Sequence, residues 1–165
     1  MIKNRKIRKL YWNWIQMKPL PFILTATIIN FILMVPLFLL LDLFGINDNE
    51  VGGIDVKNRD PFLLIFIVVL FAPIVETLIM QVLPIKITQR IFGNSLIFLT
   101  VVISTIIFSL AHIGYSIWYS ILTLPMGILL ALTYIIFQKR EESGFWMVFS
   151  IHSLRNLLAV LVILS

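Results

Sequence analysis

The chain contains two histidines among 165 residues. Each stands four residues from a partner inside a long apolar run: Phe108 with His112, and His152 with Asn156. A third run carries Glu76. Residues i and i+4 share a helix face, so each pair points one way. An ionisable group in hydrocarbon costs roughly 2.5–3.5 kcal/mol on insertion scales for the worst residues. Three such marks on three helices imply one buried polar site. Carboxylate plus imidazole is what water activation needs: a base near neutral pH and a group to hold the water. A His and an Asn at i and i+4 present two donors to a developing oxyanion. Taken singly, each mark also has a structural reading. Either His, or Asn156, can be an interhelical hydrogen-bond partner, and Glu76 can be a packed, protonated acid.

Metal ligation is the competing chemistry. Glu76, His112 and His152 supply the ligand types of a zinc hydrolase, but not the compact H-E-x-x-H spacing. Serine nucleophiles are weaker candidates, because Ser104, Ser109, Ser150 and Ser153 can satisfy helix carbonyls instead. Cysteine is absent, which excludes disulfides, thiol catalysis and thiolate metal sites.

The elements that must position these residues are membrane helices. The chain is 60% hydrophobic and 13% charged, with a mean hydropathy of +1.03, against about 25% charged in soluble domains. A span needs about 20 apolar residues, and five runs qualify: Phe22–Phe44, Phe62–Leu83, roughly Leu96–Tyr115, Ile117–Phe137 and Phe145–Leu164. They lack strand alternation, and open sheets cannot span lipid. The expected fold is therefore all-α, a polytopic bundle of about five spans. Residues 1–21 form a basic cytoplasmic segment and residues 22–165 a single membrane domain. The first run is too long for a signal-peptide core of roughly 7–15 residues and reads as a retained helix. Gly45 to Asp60 is a polar, turn-rich loop, and Pro84 to Asn94 an amphipathic stretch at the interface.

Charge sets the orientation. With the N-terminus inside, the inner segments hold Lys3, Arg5, Lys6, Arg8, Lys9, Lys18, Lys86, Arg90, Lys139 and Arg140, and the outer loops only Lys57 and Arg59. The basic balance, with a pI near 9.8, is thus a lipid-anchoring signal and not a nucleic-acid one.

Phe71-Ala72-Pro73-Ile74-Val75-Glu76, Phe108-Ser109-Leu110-Ala111-His112 and His152-Ser153-Leu154-Arg155-Asn156 resemble the three motifs of the CAAX protease and bacteriocin-processing family. That family, also called Abi, includes the type II CAAX prenyl endopeptidases. Its patterns are E-E-x-x-x-R, F-x-x-x-H and H-x-x-x-N/D, in that order on separate helices. The resemblance runs from about Pro61 to the C-terminus, a family core of about 61–165. It implies an intramembrane endopeptidase in which Glu76 activates water, His112 helps hold that water, and His152 with Asn156 stabilises the oxyanion. It leaves the cofactor open: none for a glutamate-type enzyme, or zinc on Glu76, His112 and His152 for a metalloprotease. It implies a membrane-associated peptide or protein as substrate (a CAAX-type sequence, a bacteriocin leader or a pheromone). The small chain, without cysteine or a eukaryotic targeting segment, suggests a bacterial cytoplasmic membrane.

Two positions depart from the pattern. Thr77 stands where the family has its second Glu, and Gln81 where it has Arg. Both charges of an i,i+4 pair are gone together, so no lone charge is left in lipid. The opposite reading is an inactive member acting in bacteriocin self-immunity or as a membrane scaffold. Arg155 is a surplus charge that could snorkel toward an interface; the preferred expectation is that it offsets Glu76 and stands in for the missing Arg. Depth counting at about 1.5 Å per residue puts His112 further out than Glu76 and His152. The three meet only if the third span starts later, tilts or is partly submerged; a later start, near Phe98, is the favoured expectation. The site is expected to open toward the cytoplasm.

Overall fold

The computed structural model describes residue 9, residues 12–53 and residues 60–164. Lys3, Arg5, Lys6, Arg8, Lys57 and Arg59, which carry much of the orientation argument, lie outside the described residues. Among the described residues the regular structure is all helical. Four helices are long and apolar enough to cross a membrane, and a fifth is shorter.

Helix α1 spans Pro19–Leu43 and starts with Pro in its first turn, where a missing N–H costs nothing. Its buried side chains Phe22, Ala26, Asn30 and Met34 recur every four residues and form one stripe against the bundle. A short helix α2, Asp48–Val51, follows in the polar loop. Asn47 and Glu50 close a reciprocal capping box at its start. Val51 plugs into an apolar cluster with Met34, Leu41 and Leu122.

Helix α3 runs continuously over Pro61–Phe92, with Asp60 Oδ1 accepting from the Leu63 N–H at 2.9 Å as its cap. The expected interfacial segment after Pro84 is thus the tail of α3, amphipathic as predicted: Ile85 and Thr88 are buried while Lys86 and Arg90 are exposed. The helix tolerates Pro73 and Pro84 because each follows a widened π turn, at Phe66–Phe71 and Thr77–Val82. There the N–H groups of Ala72 and Leu83 reach back five residues to the Ile67 and Leu78 carbonyls.

Helix α4 corrects the expectation of a full span over Leu96–Tyr115. It covers Ile97–Leu110, 14 residues, or about 21 Å against roughly 30 Å of hydrocarbon. Its end is set by His112 itself. The His112 ring Nδ1 donates to the Phe108 carbonyl at 2.7 Å, the acceptor an α-helical His112 N–H would use. The backbone N–H turns to Ser109 instead, and the chain leaves the helix.

Helix α5, Ile117–Phe137, matches the expected span, with Ser116 capping it through the Tyr119 N–H at 2.9 Å. Helix α6 spans Gly144–Leu164. α5 is the most enclosed of the long helices, and its Leu129, Leu130, Tyr134 and Phe137 join Phe22, Phe108, Val148 and Ile151 in the main core. The outer surface carries large apolar side chains such as Leu43, Phe62 and Phe98, each more than three-quarters exposed. In water that surface would be an aggregation hazard; against lipid tails it is solvated. The chain is an integral membrane protein.

Candidate active site

Three helices deliver the three ionisable residues to one point. Glu76 Oε2 lies 3.5 Å from His112 Nε2 and 3.4 Å from His152 Nε2. Glu76 sits in the α-helical turn between the two π segments of α3, His112 in the turn just past α4, and His152 on α6. The expected convergence is therefore found, with the third span starting one residue before the expected Phe98. α4 starts at Ile97 and simply stops early, which holds His112 at the depth of Glu76.

Phe108 is fully buried between the imidazoles, its ring 4.8 Å from that of His112 and 5.6 Å from that of His152. Its carbonyl fixes the His112 tautomer. A carbonyl only accepts, so Nδ1 carries hydrogen and the Nε2 lone pair faces Glu76 in the neutral ring. Glu76 Oε2 is buried and has no hydrogen-bond partner. At 3.4–3.5 Å the imidazole contacts are too long for good direct bonds.

These groups line a cavity of about 280 Å³, room for several waters at about 30 Å³ each. Asn156 and Arg155 are on its wall with Tyr119, Thr123 and Met126. The Asn156 amide nitrogen donates to the Val68 carbonyl at 3.0 Å, and its oxygen accepts from Arg155 at 3.2 Å. Arg155 makes no ion pair with Glu76 among the described contacts. The guanidinium instead reaches the Met34 sulfur at 3.5 Å.

Thr77 and Gln81 are fully buried below the site and do not bond each other. Gln81 Oε1 accepts from Ser104 Oγ at 2.6 Å, and the same hydroxyl reaches the Met80 carbonyl at 3.1 Å. Ser109 likewise bonds the Ser120 carbonyl, so these two serines satisfy helix carbonyls.

The cavity's direction is at odds with a cytoplasmic opening if the N-terminus lies inside. It leads from Glu76 to the end of the bundle that carries Gly52, Gly53 and Ile163, away from the end where α1 begins. With the N-terminus inside, this mouth faces outward. The other direction is plugged by Gln81, Ser104 and Ile151, none more than 1% exposed. Sequence reasoning missed the far wall: Tyr119, whose ring stacks on His112 at 5.9 Å, and Gly52, where a Cβ would come within 3.1 Å of the Tyr115 carbonyl oxygen. Tyr119 had a usable signal, since it lies one helical turn beyond the tight Gly114–Ser116 connection that follows His112.

Zinc would call on Glu76, His112 and His152. Among the described residues no three His, Cys, Asp or Glu side chains are grouped to hold a metal ion.

No curated protein and no solved structure matches the chain. One family model does, over residues 58–158, which take in α3 from its cap to its end, α4, α5 and the polar turn of α6. With the three ordered motifs meeting at one carboxylate inside that region, the chain belongs to the type II CAAX prenyl endopeptidase Rce1-like family, a family of intramembrane proteases.

Proposed function

We propose that the protein is an intramembrane endopeptidase that hydrolyses a peptide bond in a membrane-associated peptide or protein, using a water activated by Glu76. The observation that carries this reading is one carboxylate oxygen facing two imidazole Nε2 atoms, one from the turn after α4 and one from α6, on a cavity wall. A water at that point donates one hydrogen to Glu76 Oε2 and the other to the His112 Nε2 lone pair. Glu76 takes the proton as the water oxygen attacks the scissile carbonyl. The carbonyl oxygen becomes an oxyanion, received by the His152 Nε2 hydrogen and by the second Asn156 amide hydrogen. Glu76 then returns its proton to the leaving amine.

The apolar walls Leu64, Val68 and Val160 beside this polar floor suit an apolar segment held in lipid. With the N-terminus inside, the substrate chain enters from the outer face of a bacterial cytoplasmic membrane.

The test is cleavage of a quenched, membrane-associated peptide library by the purified protein in detergent, beside Glu76→Gln, with and without chelator. The expected result is cleavage that survives chelation and falls roughly 10²–10⁴-fold in the mutant, the range of a positioned general base. Full cleavage by Glu76→Gln would refute the assignment, and loss in chelator would replace it with metal chemistry.

A further inference from the structure

Arg155 is the half-buried charge that the reaction above does not use. It lines the cavity, yet it pairs with no carboxylate among the described residues, and its Nε is buried without a partner. What it does touch is one end of the Asn156 amide, with NH1 3.2 Å from Oδ1.

An asparagine amide is nearly symmetric in shape, and its two ends differ only in chemistry. Both ends here have one-way neighbours. A guanidinium has five N–H donors and no acceptor, so the atom facing it must be oxygen. On the other side lies the Val68 carbonyl, 3.0 Å from Nδ2, which only accepts. That carbonyl is free because of the helix geometry. Its α-helical donor, the Ala72 N–H, is drawn back to Ile67 by the π turn. Its π-helical donor would be residue 73, a proline, which has no N–H. The same bulge that precedes Glu76 therefore supplies the acceptor for Asn156.

The guanidinium is itself propped from outside the family-matched region. Its NH2 rests on the sulfur of Met34 at 3.5 Å. Met34 belongs to α1 and is held in the cluster of Leu41, Val51 and Leu122.

We propose that Arg155 is a positioning residue that fixes which way round the Asn156 amide sits, so that its NH2 group meets the Val68 carbonyl with one hydrogen and turns the other to the cavity. This rests on the oxyanion role given to Asn156 above. Without the cation only the Val68 carbonyl restrains the amide, and its unheld oxygen end can swing toward the cavity, where it repels the developing oxyanion.

The experiment is a cycle of Arg155→Gln, Arg155→Lys, Asn156→Ala and the Arg155→Gln/Asn156→Ala double mutant, read by steady-state kinetics and by melting in detergent. Glutamine can offer Asn156 either polarity, whereas lysine only donates. Arg155→Gln is expected to lower kcat roughly 10-fold with KM within about 2-fold, and Arg155→Lys to recover kcat to within about 3-fold. In the Asn156→Ala background, Arg155→Gln should cost less than about 2-fold. A loss undiminished in that background, a lysine variant as damaged as the glutamine one, or an effect confined to KM would overturn the proposal. The last of these would make Arg155 a substrate contact.

Melting separates this inference from the catalytic reading. If the wild type cleaves nothing, the catalytic reading fails. The melting midpoints still decide whether Arg155 holds the amide: non-additive losses support the bond, and additive losses overturn it.

Discussion

The departure at Thr77 and Gln81 makes a quantitative prediction. Both side chains are fully buried, four residues apart on α3. Thr77 Oγ1 and Gln81 Nε2 have no partner, while Gln81 Oε1 is held by Ser104 at 2.6 Å. Thr77→Glu alone buries a carboxylate with no cation to meet it. Gln81→Arg alone buries a guanidinium and removes the acceptor of Ser104, which keeps only Met80. An unpaired buried charge costs about 3–5 kcal/mol, and at this chain length 1 kcal/mol is about 2–4 °C in Tm. Each single change should therefore lower Tm by roughly 6–20 °C. Together they restore the family's i,i+4 pair. The double mutant should lose less than either single one, a coupling of at least about 3 kcal/mol. The assay is thermal unfolding in detergent followed by the fluorescence of the 4 tryptophans, with library cleavage measured beside it. If the double mutant melts at the sum of the single losses, the idea that neutral residues replaced a structural ion pair is wrong.

Three further predictions concern packing, a loop anchor and pH. At Gly127 a Cβ would lie 3.1 Å from Thr105 Cγ2 and 3.2 Å from Thr105 Cα. Gly127→Ala should cost about 1–3 kcal/mol by overpacking, and it should slow cleavage by pushing on the helix whose Phe108 holds His112; unchanged melting and rate would show that α4 and α5 part freely. Arg140 donates to the carbonyls of Ile15 and Met17 and pairs through two nitrogens with Glu142. Arg140→Ala should cost about 2 kcal/mol, read as a lower melting midpoint. The Arg140 hydrogen bonds hold the Glu142 carboxyl below its ordinary value. Its stabilisation is therefore present above the ordinary carboxylate range and lost as pH falls through the folded-state value. Glu142→Gln should melt below wild type at neutral pH and with it in acid; a constant gap would remove the carboxylate from the account.

Much of this was legible in residue types and run lengths. The span Ile117–Phe137 has the same ends in sequence and structure, and α1 and α6 differ by a few residues at their starts, because caps and prolines mark the boundaries. Glu76, His112, His152 and Asn156 stood out because polar groups in long apolar runs need a reason. The end of α4 was not legible. It depends on a side-chain ring taking a backbone carbonyl, and hydropathy continues past it through Ile113 to Tyr115. The cavity's direction depends on how α2, α5 and α6 meet, a tertiary fact with no local signal. Pro73 and Pro84 could be read as disturbances of α3, but nothing in their identity shows that the helix widens ahead of them instead of breaking.

That widening means the site is encoded partly in chain length. A π turn holds about one residue more than an α turn without changing where the helix goes next. Removing one residue from Phe66–Phe71 would let that stretch close into an ordinary helix with its outer flank still in phase. The Val68 position would lose its surplus carbonyl, and the latch on α6 would go with it, although every motif side chain remained. Two chains of this kind can therefore share each recognisable letter and differ in competence by a one-residue gap, a difference that comparing motifs alone would never reveal.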